Sequence, residues 1–574
     1  MNKLLHLHQS NRYIRLLALI FVSSFFGLIW YLLLYGSAPL HFSYVNWIYK
    51  TGGDVFQHQI SWEWFRQAAW QFPLGRIDAY GYPFGTSILY TDSIPLLAIP
   101  LKLLSPLMKQ NFQYLGLWEL ASVSGQMLLG MAVLGEFTNS YIKKILGASL
   151  LVLSPILIFS AFGHDPLTAQ WILLAGIWFI LLEYRHKLWR GAWLVLFALA
   201  MLVEVYFVAM LLPLWAIGLF FRYTRETNKR MLAVDVFCVI GEMLIIAYCI
   251  GFFSLSAGSL RATGFGDLSW NLNGFINPTR WNIYGVVNTA LPATLLHPLP
   301  IGTSGQYEGF SYLGLGNLVL LPIAAVLFFK GDRSRRNLFF WLPFILVSIL
   351  FILYALSNKA YLNTKLLWNI PLPDFILRLC SYFRSCGRFI WPVFYFLVLF
   401  GIISIIRNTR YASVFLLLAL ILQFIDVGQL FSYKKFTGFV NYQSDLQDGF
   451  WKFAARTNQH LILIPAENAF SVYVPFALYA RQNSLTLNWG YFSRADYEGI
   501  DNYANQVMEG LQAGRTDDQT IYIFWDSASE KLATQYLSAH LVICQVDRVT
   551  LGLSVSNKLV QNTPNLLKPY CSFP

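Results

Sequence analysis

Eleven apolar runs, most of them joined by short basic connections, constrain this chain more than any other feature. A hydrocarbon core of about 30 Å needs roughly 20 apolar residues per crossing helix. The runs fall at 12–34, 114–137, 145–162, 166–183, 191–206, 207–222, 233–256, 313–329, 338–356, 389–406 and 411–427. Lys3, Arg12 and Arg15 stand at the start of the first run. Later connections carry Lys143 and Lys144, then Arg185, Lys187 and Arg190, then Arg222, Arg225, Lys229 and Arg230. Lys330, Arg333, Arg335 and Arg336 follow, and Arg407 and Arg410 come last. All of these share one side if every run crosses, and the positive-inside rule makes that side the cytoplasm. The pattern predicts a polytopic α-helical membrane protein of about 11 transmembrane helices, with its amino terminus in the cytoplasm and its carboxyl terminus outside.

Residues 93–108 are apolar as well, but short and interrupted by Pro95, Pro100 and Pro106. A crossing there would move every later basic connection outside, so the segment reads as interfacial or re-entrant. The first run is too long for a cleaved signal peptide, lacks a small-residue cleavage site and reads as a retained helix. Composition agrees: 56% of residues are hydrophobic and 12% charged, about half the charged share of a soluble domain. The net charge of +12 does not point to nucleic acid, because Lys and Arg sit between apolar runs. None of the six cysteines forms a CxxC pair, so no zinc or redox signature exists. Cys380 and Cys386 flank a basic stretch, and a disulfide between them stays open.

This topology divides the chain into a transmembrane module, 1–430, and a tail, 431–574. Outer segments fall at about 35–113, 257–312 and 357–388. The tail alternates β-rich runs (LILIPA, TIYIF) with helical patterns (NYANQVMEGLQAG, SEKLATQYL), which predicts a soluble α/β domain.

Candidate chemistry gathers in the outer segments. Asp54 follows Gly52 and Gly53, which let the chain turn sharply. A carboxylate at that point can act as a general base or merely cap a helix. His58 stands four residues on, where a helix would turn it the same way, and Glu63 and Arg66 continue the pattern. Trp47, Trp62, Trp64 and Trp70 can stack on sugars, but an aromatic belt at headgroup level is the better reading for most of them. His164 and Asp165 form a tight polar turn between two runs, either a functional pair or a cap before Pro166. Glu204 lies between two abutting runs. Glu308 precedes another run, among Tyr307, Gly309 and Tyr312. Arg384 and Arg388 stand at the mouth of a run on the side that the positive-inside rule leaves without cations, and guanidinium forks suit phosphate oxygens.

The order of these features resembles the GT-C superfamily of integral membrane glycosyltransferases. The stretches GGDVFQHQISWEWFRQAAWQFPLG, YGYPFGTSILYTDSIP and FRSCGRF look like uncharacterised bacterial members of it. The resemblance covers 1–430 and implies a sugar donor carried on polyprenyl phosphate or diphosphate. It further implies a glycan or lipid acceptor, contact with membrane lipids, and a bacterial inner-membrane location with the tail periplasmic. By position it gives Asp54 the role of base, with Asp165 as the second acidic residue and Arg388, with Arg384, as the phosphate binders. His58, Arg66, His164 and Glu308 would contact substrate. Superfamily members differ in their need for a divalent metal, and that stays open here. An envelope glycan such as lipopolysaccharide or O-antigen is the acceptor the resemblance suggests. Two other readings remain: a lipid or polysaccharide transporter, and a non-enzymatic scaffold for envelope-glycan assembly.

Overall fold

A computed structural model describes residues 2–161, 163–226, 228–254, 264–278, 295–331, 338–428, 439–466 and 473–573. Arg333, Arg335, Arg336 and much of the 257–312 segment lie outside the described residues. The chain forms two compact units: 1–44, 111–246 and 262–439 make the first, and 45–110, 247–261 and 440–574 the second.

The first unit is helical. Among the described residues seven helices are long and apolar enough to cross a membrane: Tyr13–Leu34, Leu115–Gly135, Asp165–Tyr184, Val205–Tyr223, Arg230–Ile250, Phe339–Leu356 and Cys386–Asn408. Shorter apolar helices occupy Pro95–Leu107, Ala192–Val203, Leu315–Lys330 and Ala412–Val427. The expected count of eleven therefore exceeds the number of helices that qualify by length. Two local causes account for half of the shortfall, and the helices Leu315–Lys330 and Ala412–Val427 are 16 residues each. Ser154 and Pro155 break the 145–162 run into Tyr141–Val152 and Pro155–Ser160, because a proline nitrogen cannot donate within a continuing helix. Glu204 takes an extended conformation between Ala192–Val203 and Val205–Tyr223 and caps the second helix.

The basic connections of this unit gather at one end of it. Arg185 reaches Glu136 at 2.6 Å, joining the connection after 171–184 to the end of 115–135. Arg190 and Arg222 share Asp235, at 2.7 and 2.8 Å, and Arg222 also pairs with Glu183. The Arg407 guanidinium lies 5.9 Å from the centre of the Phe137 ring. The ends of the helices 115–135, 171–184, 205–223 and 391–408 and the start of 230–250 thus meet at one charged layer. At the other end of the unit a two-stranded hairpin, Lys359–Leu362 with Lys365–Asn369, precedes the helix Asp374–Ser381. Leu366, Leu367, Trp368, Phe375 and Leu379 are exposed on these elements.

The second unit joins the first outer segment to the tail. Its six-stranded mixed sheet has the order Cys571–Ser572, Leu541–Val546, Val549–Ser554, Thr520–Phe524, His460–Ile464, Thr486–Leu487. The central pair 460–464 and 520–524 is parallel, with Ile462 opposite Tyr522, while 549–554 pairs antiparallel on both sides. LILIPA and TIYIF thus supply the central parallel pair, and most of NYANQVMEGLQAG lies within the helix Tyr497–Gln512. Ile462, Ile464, Phe524 and Leu541 form a core with Leu511 and Leu537 from the covering helices. The short edge strand 486–487 is capped by the first outer segment: Gly81 and Tyr82 both donate backbone N–H to the Leu487 carbonyl at 2.9 Å, and Leu487 donates to Ala79 at 2.9 Å. Covering an edge in this way removes a row of unpaired backbone groups. Cys544 and Cys571, on adjacent strands, form a disulfide, whereas Cys380 and Cys386 of the first unit are free thiols.

Candidate functional site

Two short 3-10 turns in the first unit, Ser304–Gly309 and Cys386–Ile390, touch backbone to backbone. A Cβ on Gly387 would lie 2.5 Å from the Gly309 Cα, and a Cβ on Gly309 would lie 2.7 Å from the Ser269 carbonyl oxygen. Only glycines fit there, and their closeness brings the neighbouring side chains together. Arg388 donates from Nε to Glu308 Oε2 at 2.6 Å and from Nη2 to Oε1 at 2.9 Å, a two-pronged fork between buried residues. The guanidinium also lies 4.8 Å from the centre of the Tyr206 ring, whose hydroxyl accepts from the Ser385 backbone N–H at 3.0 Å. Burial alone would push the Glu308 carboxyl up. The charge of Arg388, then that of His164, the Arg388 hydrogen bonds and the charge of Arg384 outweigh it and hold the group below the usual carboxylate range. Glu204, which accepts from the Tyr206 backbone N–H at 3.3 Å, acts electrostatically on Arg388.

His164, Glu204, Glu308, Arg384 and Arg388, remote in sequence, therefore form one electrostatic cluster. It lies at the end of the unit away from the basic connections. Within it Arg388 is committed to Glu308, while Arg384 is exposed.

Asp165 belongs to a second, adjoining group. Its side chain hydrogen-bonds to Glu119, and Glu119 accepts from the Tyr35 hydroxyl at 2.6 Å. The Asp165 carbonyl accepts from Trp118 Nε1 at 2.7 Å and from the Thr168 hydroxyl at 2.6 Å, which fixes the turn. His164 and Asp165, adjacent in the chain, thus act in different clusters. Glu119, fully buried, was not among the sequence candidates.

Asp54, His58 and Arg66 lie in the second unit, on the helix Gly53–Gln67. The helix starts from Gly52 at φ +67°, so Asp54 stands in its first turn and is not the N-cap. A carboxylate there faces the positive end of the helix dipole. His58 is 2% exposed, and its carbonyl accepts from the Ser93 hydroxyl at 3.0 Å. Arg66 donates to the Lys109 and Gln110 carbonyls at 3.0 and 3.1 Å, tying the helix end to the next turn. Trp47, Trp62 and Trp64 are buried and only Trp70 is exposed, which corrects the aromatic-belt reading: Trp64 stacks on Tyr80 at 4.2 Å.

Sequence reasoning also missed what holds this helix to the tail. Gln57 Oε1 accepts from the Tyr80 and Tyr473 hydroxyls, both at 2.7 Å, and from the Tyr491 N–H at 3.2 Å. Glu63 accepts from Tyr49 at 2.7 Å and from Gln59 at 3.0 Å, and lies 3.8 Å from Arg481. Burial pushes the Glu63 carboxyl up against the pull of Tyr49 and Arg481. Among the described residues no three His, Cys, Asp or Glu side chains stand close enough together to hold a metal ion.

The fold is that of a polytopic helical membrane protein with an appended α/β unit and a buried charged cluster at one end of its helices. The chain belongs to the family described as Domain of unknown function (DUF6311), which matches residues 24–428, and the DUF6311 C-terminal domain matches 450–554. No curated protein sequence matches it. Among solved structures the chain is similar to the archaeal oligosaccharyltransferase AglB of Archaeoglobus fulgidus, determined in complex with an inhibitory peptide and a dolichol-phosphate. That similarity has a TM-score of 0.42 at 9% identity, over 93% of this chain and 74% of the other.

Proposed function

We propose that this protein is a membrane glycosyltransferase of GT-C type. It moves a sugar from a polyprenyl-phosphate carrier to an envelope glycan or lipid acceptor on the outer face of a bacterial inner membrane. The observation that carries this reading is Arg384 and Arg388, the first exposed and the second forked to Glu308, at the end of the helices away from the basic connections. Cations there are not explained by orientation in the membrane. In this mechanism the acceptor hydroxyl oxygen attacks the anomeric carbon and the bond from that carbon to the phosphate oxygen breaks. Asp54 takes the hydroxyl proton, and the phosphate leaves with the bonding electrons. Arg384 is the residue assigned to the leaving phosphate, because the Arg388 fork is already filled by Glu308. Arg388 then acts by holding Glu308 and the 386–390 turn in place. A divalent metal at the phosphate stays open.

The eleven-crossing topology belongs to this proposal. If only the seven long helices crossed, Arg185, Lys187 and Arg190 would face outside, against the positive-inside rule. Crossing by the broken pair 141–160 and by the short helices 192–203, 315–330 and 412–427, with 95–107 not crossing, restores every basic connection to the cytoplasm. It places the tail, with its disulfide, in the oxidising compartment where such bonds persist. The exposed Leu366, Trp368, Phe375 and Leu379 then face the outer leaflet.

One observation favours the transporter reading: the Glu119–Asp165 carboxyl pair, buried beside apolar helices, is the kind of group that carries protons in pumps. One experiment separates the two. Purified protein in lipid nanodiscs is given a radiolabelled polyprenyl-phosphate sugar and envelope glycolipids as acceptors. Wild type is expected to transfer label, and Asp54→Asn to lose about 10²–10⁴-fold in rate, the usual contribution of a general base, with unaltered thermal unfolding. Unchanged transfer by Asp54→Asn removes it as the base. Carrier lipid moved across a vesicle membrane with no transfer overturns the enzyme reading.

A further inference from the structure

A cavity of about 180 Å³ in the second unit is built by three remote stretches of chain: 73–90, 251–254 and 492–500. These stretches are locked to one another around it. The Tyr90 hydroxyl donates to the Gly251 and Phe252 carbonyls at 3.0 and 3.1 Å. Ser493 donates to the Tyr90 carbonyl from its backbone N–H at 2.8 Å and from its hydroxyl at 2.9 Å. Leu74 donates its N–H to the Cys249 carbonyl at 2.9 Å. Glycines shape the walls: Gly81 and Gly85 have φ of +81° and +71°, and a Cβ on Gly85 would lie 2.7 Å from the Ile77 carbonyl oxygen. So many positioning bonds around an opening define a formed pocket rather than a crevice between loose loops.

The lining mixes groups in a way that selects a ligand class. Phe84, Tyr90 and Phe492 present ring surface, while Thr86, Ser87 and Ser254 present hydroxyls. Arg76 and Arg494 supply donors, and Asp496 supplies an acceptor. Arg76 is oriented in advance, bonded to Asp78 at 2.7 Å and to the Phe84 carbonyl at 2.7 Å. A bare phosphate would meet Arg494, but also the Asp496 carboxylate and an Arg76 already paired with Asp78. A sugar ring suits the same set well. Its hydroxyls both donate and accept, and its C–H face packs on aromatic rings. The volume is below the roughly 300–1,000 Å³ of pockets for drug-sized ligands and suits a single ring. Ser254 lies four residues beyond the end of the apolar helix Arg230–Ile250, hence within about 14 Å of it along the chain.

We infer that this pocket binds one uncharged sugar residue of a glycan held close to the membrane surface. Its identity as the acceptor end rests on the transferase reading, while the binding itself does not. The test uses full-length protein in nanodiscs, titrated calorimetrically with glucose, galactose, N-acetylglucosamine and rhamnose, and with glucose 1-phosphate. At least one neutral sugar is expected to bind saturably. Arg494→Ala and the pocket-filling Ser254→Trp are expected to weaken it at least tenfold. Asp496→Asn keeps an N-cap for the 497–512 helix, so it preserves the fold while removing the acceptor charge, and it is expected to weaken binding as well. The inference is overturned if no neutral sugar saturates, if only glucose 1-phosphate binds, or if sugar binding survives Ser254→Trp. If sugar binds here while the protein transfers nothing, the pocket stands and the transferase reading fails.

Discussion

At the scale of single residues the Glu308–Arg388 fork makes the sharpest prediction. Removing one member of a buried ion pair leaves the other charged and unpaired, which costs about 3–5 kcal/mol, whereas replacing both with apolar groups is often neutral. Glu308→Gln is expected to lower the unfolding midpoint markedly, and Glu308→Leu with Arg388→Met to recover most of the loss. The pH dependence has a definite sign. Glu308 ionises more readily in the folded state, so its contribution is complete above the unfolded carboxylate value, near 4.3, and is lost as pH falls through the lower folded value. Wild type should therefore lose stability more steeply than Glu308→Gln below about pH 4. Equal slopes would mean that the fork does not set the acid limb. Both residues stood out in the sequence as isolated charges beside apolar runs. Their pairing did not, because it depends on two glycines, Gly309 and Gly387, meeting across a long loop. Glu119 escaped notice for another reason. It sits inside an apolar run, where one carboxylate hardly lowers the hydropathy of the span, although its cost in that setting is itself a signal.

At the scale of elements the helix 53–67 is the informative one. Its sequence looked like the opening of an outer loop with a catalytic carboxylate. In the structure it is also the piece against which the tail's 473–482 helix packs. Arg481 donates from Nε to the Glu63 carbonyl at 3.0 Å, and Gln57 collects three donors. Strand and helix periodicities were legible in the tail because they are local, as LILIPA and TIYIF demonstrate. The union of tail and first loop was not, since it is written in polar residues with no periodicity over a separation of more than 400 positions. Gln57→Leu removes the acceptor of the Tyr473 and Tyr80 hydroxyls and of the Tyr491 N–H, and a buried donor left unpaired costs about 1–3 kcal/mol. Limited proteolysis should then cut the second unit at protease concentrations that leave wild type intact, and an unchanged cleavage pattern would remove Gln57 as a tie. The disulfide is a separate support of the same sheet. Its 27-residue separation predicts a loss of about 2–4 kcal/mol for Cys544→Ser with Cys571→Ser, read from denaturant unfolding of the two proteins.

At the scale of the whole molecule the open quantity is how many helices cross. Seven and eleven are both odd, so a reporter at the carboxyl terminus reads the same side for either count and cannot separate them. The internal connections can. A 16-residue helix such as Leu315–Lys330 rises about 24 Å, some 6 Å short of a typical hydrocarbon core, and mismatch costs only fractions of a kcal/mol per ångström. Exporting a cluster of Lys and Arg is opposed more strongly, so the short helices are expected to cross. The Arg185–Glu136, Arg190–Asp235 and Arg222–Asp235 pairs already hold several basic connections in one layer. Single-cysteine labelling of whole cells with a membrane-impermeant thiol reagent decides between the counts, on a background with the other cysteines blocked or replaced. Under eleven crossings Asn363→Cys is labelled from outside and Lys187→Cys only after lysis. Under seven, the two results exchange. The second outcome would move the hairpin 359–369 and Arg384 into the cytoplasm, and with them the place where a lipid-linked sugar would have to be met.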